Sequence, residues 1–277
     1  MAKELIAAGY SVTIWNRNQS RAIQAETEIN SPLLTVSPSV KSALENADLA
    51  ICTFTNGEVT QSVLLDDSKV LESVKSNLII ADMGTSGVES ALALDTALRA
   101  KNISFVDAPV SGSVATIAAH QLLVMASGEE SIIESVRLVF SAFAKKTAFL
   151  GSAGAGQAMK LAVNLIVHTL NAAVSEGLAL AAANGIDPSV AYDVLEESVV
   201  SAPFVKYKRS AFLDAQSPVA MRIDTVLKDL RLILELGQAS GVDLTATAGV
   251  TQLYTHAQEA GFEAQDMAAL FRHISQS

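Results

Sequence analysis

The chain has one cysteine, Cys52, one tryptophan and four histidines in 277 residues. A single cysteine excludes an intramolecular disulfide and a cysteine-rich zinc centre. His120, His168, His256 and His273 lack metal-ligand spacing, so no metal is expected. Basic residues are few, 19 against 29 acidic ones, for a net charge of −10. That balance argues against a nucleic-acid partner, since a phosphate backbone selects for Lys and Arg. It still allows one local cluster to hold a small anion. No uninterrupted apolar run reaches the roughly 18 residues of a membrane span. The N-terminus shows no basic region followed by a long apolar segment. The expectation is a cytoplasmic protein without a membrane partner, an organellar address remaining open. What is present is apolar: 50% hydrophobic and 17% charged residues. This supplies a core, excludes a disordered chain and suggests roughly two domains of about 150 residues.

The first half alternates two kinds of segment. Tyr10–Trp15, Leu33–Val36, Asp48–Phe54, Asn77–Asp82, Ile103–Asp107, Leu122–Ala126 and Thr147–Leu150 are short and rich in β-branched or large apolar residues. Helical patterns lie between most of them: Ser20–Ile29, Ser39–Ala47, Glu58–Ser73, Val88–Lys101 and Ser131–Ala144. Strands separated by helical segments call for parallel pairing and right-handed crossovers, hence a doubly wound α/β sheet. After Gly151 the strand signal stops. Gln157–Asn184 reads as one long helix ended by Gly185, and Asp187-Pro188 restarts the chain with an N-cap and an N1 proline. Ser217-Pro218 opens a stretch that ends near Gly241, and further patterns cover Thr245–Ala260 and Asp266–Ile274. The expected domains are 1–150 (α/β) and 151–277 (all-α). Ala2–Ala8 reads as a helix closed by Gly9 and followed at once by a strand, so the visible pattern opens in the middle of a βα unit.

Four places carry candidate chemistry. Asn16-Arg17-Asn18 ends the first visible strand, where a dinucleotide fold meets the adenine ribose. No acid stands there; a guanidinium with two asparagines suits a 2′-phosphate, although an ordinary exposed turn reads equally well. Asp107-Ala108-Pro109-Val110-Ser111-Gly112-Ser113 follows a strand and turns into a loop whose hydroxyl and backbone N–H groups suit a carboxylate. Pro, Ser and Gly are also routine in plain turns. Lys160 and Asn164 stand i, i+4 on one helix face in apolar surroundings, which desolvate a lysine and suit it to proton transfer. A snorkelling lysine would have the same pattern. Lys228-Asp229 reads locally as a solvated stripe in an apolar helix, and His168 as a packed, hydrogen-bonded side chain rather than a base.

In their order along nearly the whole chain, these segments resemble the β-hydroxyacid dehydrogenase family. The similarity runs from Met1-Ala2-Lys3-Glu4-Leu5 and Ala8-Gly9-Tyr10-Ser11-Val12 through Trp15-Asn16-Arg17 and Asp107–Gly112. It continues with Gly154–Asn164, Lys228-Asp229-Leu230 and Leu253-Tyr254. The resemblance implies a Rossmann-like domain followed by an all-helical substrate and dimerisation domain, and a homodimer or homotetramer formed through the latter. It implies an oxidoreductase interconverting a small 3- or 4-hydroxy acid and its semialdehyde, with NADPH preferred over NADH. Lys160 would be the catalytic acid/base; Ser111, Gly112, Ser113 and Asn164 would hold the carboxylate substrate. Asn16, Arg17, Asn18, Thr53, Thr85, Lys228 and Asp229 would line the cofactor. The family's first strand and Gly-x-Gly-x-x-Gly turn have no counterpart in this sequence. Gly84, Val88, Ser113, Thr116 and His120 also depart from the pattern. An imine reductase-like enzyme and a non-catalytic dimeric relative remain alternative readings.

Overall fold

The computed structural model describes residues 1–276. The chain divides into two compact units, Met1–Lys160 and Leu161–Ser277. The division falls inside the long helix rather than in the glycine-rich turn before it.

The first unit opens with helix α1 (Ala2–Ala7) and strand β1 (Val12–Ile14), then α2 (Gln19–Ile29), β2 (Leu34–Val36), α3 (Val40–Leu44), β3 (Leu49–Cys52) and α4 (Gly57–Gln61). It continues with β4 (Ile79–Asp82), α5 (Val88–Arg99), β5 (Ser104–Asp107), β6 (Val110–Ser111), α6 (Val114–Ala118), β7 (Leu122–Gly128), α7 (Glu130–Phe140) and β8 (Ala144–Phe149). Side-chain oxygens start three of these helices: Asn18, Ser39 and Asn56 accept from backbone N–H groups two or three residues on. The expected helix Glu58–Ser73 is broken. After α4 the chain makes a π turn over Ser62–Asp66 and a 3-10 turn over Ser68–Val70.

Strands β3, β4 and β5 pair in parallel, as the alternating pattern requires. β7 runs antiparallel to β5 and β6 and parallel to β8. The predicted turn after Asp107 is therefore only partly a turn. The pairs Val106↔Gly128, Asp107↔Ser127, Val110↔Val124 and Ser111↔Leu123 share one register, and Met125 N–H donates to the Pro109 carbonyl at 2.9 Å. β6 thus continues the line of β5 across Ala108-Pro109. Two residues are too short for periodicity to register.

β1 and β2 form a separate parallel pair; among the described residues no ladder joins β1 to β3. Packing is continuous where hydrogen bonding is not. Val12 of β1 and Leu49 and Ile51 of β3 pack on one core cluster with Leu5, and the Trp15 and Phe54 rings meet edge-on with centroids 6.4 Å apart. A doubly wound sheet places one further strand between two such neighbours.

Helix α8 (Ala155–Ala183) leads into the second unit: α9 (Pro188–Glu197), α10 (Pro203–Leu213), α11 (Ile223–Ser240), α12 (Thr245–Ala257) and α13 (Ala269–Gln276). Asp187 caps α9 as expected, accepting from Ser189 N–H. α11 starts five residues after the predicted Pro218, because the Asp266 carboxylate holds the intervening loop through Ala220 N–H and Met221 N–H. Lys208 pairs with the same carboxylate at 2.6 Å in the interior. By length and composition α8 is apolar enough to cross a bilayer. Its buried Asn164, Asn171 and Ser175, however, hydrogen-bond to protein groups, as befits a core helix.

Candidate active site

Two adjacent strands of the first unit end in aspartates. β4 and β5 pair in parallel with Asp82 opposite Asp107, and both side chains are fully buried. Asp82 turns back on its own loop: Oδ1 accepts from Gly84 N–H at 3.0 Å and Oδ2 from the Ser86 hydroxyl at 2.6 Å. This fixes the Gly84-Thr85-Ser86 turn and leaves Thr85 half-buried. A Cβ at Gly84 would lie 2.9 Å from the Phe54 carbonyl oxygen, so the turn needs the glycine.

Asp107 reaches forward instead. Its Oδ2 accepts from the Ser127 hydroxyl at 2.8 Å and from Gly154 N–H and Gln157 N–H at 3.1 Å each. Those amides belong to the start of α8, so the carboxylate caps the helix N-terminus where the macrodipole favours an anion. Gln157 completes the knot: its Nε2 donates to Gly84 O and Asp107 Oδ1, and its Oε1 accepts from Ser86 N–H and Gly87 N–H. All four hydrogen-bonding positions of the buried amide are used. A Cβ at Gly156 would meet the Met125 carbonyl at 2.6 Å and Asp107 Oδ2 at 2.9 Å. The glycines before α8 thus allow the helix to start against the sheet. Burial pushes the Asp107 carboxyl up to about 6, with the Asp82 charge acting in the same direction, while hydrogen bonds from Ser127 and Gln157 pull it down.

Of the predicted cofactor residues, Asn16, Arg17 and Asn18 form an exposed tip. Asn16 Oδ1 accepts from Asn18 N–H and Asn18 Oδ1 from Ser20 N–H, so the tip is a built turn from which Arg17 projects. Thr53 is exposed just after β3. Ser111 is half-buried in β6, and Gly112, at φ +142°, turns the chain into α6. Ser113 N–H donates to the Thr116 hydroxyl, which itself donates to Ser113 O. Lys160 is half-buried on α8, one turn beyond Gln157.

The second unit has its own polar centre. Asn164 Nδ2 donates to Asp229 Oδ2 at 2.7 Å, and Lys228 Nζ lies 2.9 Å from Asp229 Oδ1. His168 Nε2 lies 3.5 Å from the same Oδ2 as Asn164. Lys228 retains a quarter of its side-chain exposure and Asp229 almost none, so the pair is not the solvated stripe that its sequence suggests. Asp229 stands three residues after Val226 and four before Ile233, both fully packed, and so falls on the inward face of α11. Burial works to raise its carboxyl, but the His168 imidazole and the Lys228 ammonium outweigh burial and hold it below the ordinary carboxylate range. His168 is packed as expected, but the expected hydrogen bond is absent at both ring nitrogens.

The structure therefore joins Asn164, Lys228 and Asp229 in one network and fixes the Thr85 turn through Asp82 and Gln157. Sequence reasoning gave no role to Asp82, Ser127, Gln157 or His168. A glutamine in the first turn of an otherwise apolar helix is the one signal that could have pointed to the knot. Among the described residues no group of three or more acidic, His or Cys side chains is placed to hold a metal ion.

Parallel strands that end in a fixed turn, followed in the chain by a helical unit, make a doubly wound frame of the kind on which dinucleotide-binding enzymes are built. The sequence profile of the NAD-binding domain of 6-phosphogluconate dehydrogenase matches residues 1–151, more than half the chain. That described as the NAD-binding of NADP-dependent 3-hydroxyisobutyrate dehydrogenase matches residues 154–274. The chain belongs to the β-hydroxyacid dehydrogenase family and is an NAD(P)-dependent enzyme of that class. It is 28% identical over 274 residues to glyoxylate/succinic semialdehyde reductase 1 of Arabidopsis thaliana, covering 99% of this chain and 93% of the relative. It is 25% identical to the cytokine-like nuclear factor N-PAC of Homo sapiens, covering 98% of this chain and 48% of that protein. The crystal structure of 3-hydroxyisobutyrate dehydrogenase from Salmonella typhimurium has the same fold, with a TM-score of 0.89 at 24% identity over 98% of this chain and 94% of that one.

Proposed function

We propose that the protein is an NADP-preferring reductase of a small semialdehyde, running in reverse as a dehydrogenase of the matching 3- or 4-hydroxy acid. The observation that carries the reading is the placement of Lys160 and Asn164 one turn apart on α8, with the Asn164 amide held by its nitrogen on buried Asp229. A fixed amide presents its carbonyl in a fixed direction, which suits orienting a substrate hydroxyl. The Lys160 ammonium gives its proton to the carbonyl oxygen as negative charge develops there, and takes it from the hydroxyl in reverse. Ser111, Gly112 and Ser113 hold the substrate carboxylate through hydroxyl and backbone N–H groups.

The residues present fit a nicotinamide dinucleotide at its two ends. The Gly84-Thr85 turn, packed on the Phe54 carbonyl and held by Asp82 and Gln157, gives Thr85 a fixed backbone from which to meet the nicotinamide ribose. The exposed Arg17 at its built turn suits a 2′-phosphate. Asn16 and Asn18 after β1 and Thr53 after β3 are further candidate cofactor contacts in the first unit, and Lys228 and Asp229 are candidates in the helical unit by family resemblance. When bound, the nicotinamide supplies or takes up the hydride. The names of the Arabidopsis relatives favour succinic semialdehyde, which reduces to a 4-hydroxy acid, as the first substrate to try, with glyoxylate, which gives a 2-hydroxy acid, as the comparison.

Fluorescence titration of NADPH and NADH tests the cofactor assignment. NADPH binds more tightly, and Arg17→Ala weakens NADPH about tenfold, roughly 1.4 kcal/mol for a charge-assisted phosphate contact, while sparing NADH. Equal loss of both cofactors refutes the role given to Arg17. If neither cofactor binds, the non-catalytic reading takes the place of the reductase. We also propose a homodimer or homotetramer built on the helical unit, supported by exposed Leu180, Val190, Val194 and Val199. Light scattering then reports a multiple of 29.0 kDa, whereas a monomer at micromolar concentration contradicts it.

A further inference from the structure

One buried titratable side chain has no part in the chemistry above. His168 is fully enclosed in the second unit, on the α8 face that carries Asn164 one turn earlier and Asn171 and Ser175 beyond it. Its neighbours on that face are bonded: Asn171 Nδ2 donates to the Tyr254 hydroxyl and Met267 O, although Asn171 Oδ1 has no partner, and the Ser175 hydroxyl donates to Asn171 O. His168 Nδ1 and Nε2 have no hydrogen bond, and Nε2 faces the Asp229 carboxylate at 3.5 Å. Most other residues packed around α8 here are apolar, among them Leu161, Ala172, Val226 and Leu230. A leucine would fill such a site without the desolvation cost of an imidazole.

We infer that His168 is a positioning residue, which fixes the Asp229 carboxylate so that Asn164 keeps a single amide orientation. The argument is geometric. The two oxygens of a carboxylate are equivalent, so a half-turn about χ2 changes nothing, but a smaller swing of the plane misaligns its acceptors unless contacts on both sides hold it. Here Oδ1 faces Lys228 at 2.9 Å, while Oδ2 faces both Asn164 and His168, at 2.7 and 3.5 Å. A proton on Nε2 places a second donor beside Oδ2, so that swinging the carboxylate plane away from Asn164 also draws it away from the imidazole. The imidazole acts behind Asp229, and through its Oδ2 on Asn164. The inference rests on the reading of Asn164 as the substrate-orienting amide.

The test uses the full chain with His168→Leu, which removes the donor but keeps the volume, and His168→Gln, whose side-chain amide restores a donor near Nε2. One arm follows the Asn164 side-chain amide signals and their hydrogen exchange by NMR, with Tm recorded for each variant. The other measures kcat and KM for NADPH-dependent reduction of succinic semialdehyde. His168→Leu is expected to shift the Asn164 signals, speed their exchange and raise KM about tenfold with a smaller change in kcat. His168→Gln is expected to recover most of this. The inference is overturned if His168→Leu leaves the Asn164 signals in place. It is equally overturned if both variants lose binding in step with a fall in Tm, since packing alone would then explain the loss. If the wild type reduces no semialdehyde, the proposed reaction fails and the NMR arm by itself decides the role of His168.

Discussion

Asp107 and Asp229 are both buried carboxylates that organise long-range contacts, yet their surroundings push them in opposite directions. The partners of Asp107 are neutral: a hydroxyl, two backbone N–H groups and the Gln157 amide, with the carboxylate of Asp82 opposite it on the next strand. Those dipoles do not offset the desolvation, and its carboxyl is pushed up to about 6. Asp229 has an ammonium and an imidazole beside it, and they hold it below the ordinary range despite similar burial. The difference separates architecture from chemistry. Asp107 anchors α8 to the sheet and touches none of the groups assigned to the reaction. Asp229 holds two of them, Asn164 and Lys228.

The largest effect expected from this contrast is on stability. Asp107→Ala leaves the Gln157 side chain, the Ser127 hydroxyl and two helix N–H groups short of an acceptor, and is expected to cost about 3 kcal/mol in urea unfolding. The pH dependence sharpens the same point. Because the folded value lies above the ordinary 3.8, the native state retains the proton that the unfolded chain has lost. Stability therefore falls as pH rises from about 4 to about 6, by at most about 3 kcal/mol from this group. Asp107→Asn lacks that fall, and a wild-type curve matching the variant's across the window contradicts the assignment. Asp229 works the other way: its contribution is present above its unfolded value and is lost as pH drops below about 4.

A smaller and different effect is expected at Asp229. Asp229→Asn keeps the shape but removes the charge opposing Lys228 and the strong acceptor for Asn164. We expect kcat/KM to fall about tenfold, roughly 1.4 kcal/mol, with less destabilisation than Asp107→Ala. Steady-state kinetics beside thermal melts checks it. If Asp229→Asn costs as much stability as Asp107→Ala and leaves kcat/KM alone, the division between anchor and site breaks down.

The sequence made the alternating layers, the long α8 and the restart at Asp187-Pro188 legible, because each follows from local periodicity or capping. It missed β6, two residues long, and the antiparallel direction of β7, which is set by pairing partners rather than by composition. It read Glu58–Ser73 as a single helix, whereas the chain there makes successive turns of different pitch. Lys160 and Asn164 stood out by spacing, and Lys228-Asp229 by its place in a family pattern. The Asp107–Ser127–Gln157 knot did not stand out, since its members are 20 to 50 residues apart and each is ordinary where it stands. Asp229 was nearer to view: its place in the apolar stripe of α11 follows from the 3.6-residue repeat.

The central claim is that Lys160 moves the proton, and the most direct measurement is a single turnover of bound NADPH with succinic semialdehyde, wild type against Lys160→Met. The account predicts that the variant binds NADPH as tightly as the wild type but oxidises it about 10² to 10⁴ times more slowly, the range for a lost general acid. A variant that turns over at the wild-type rate would contradict it.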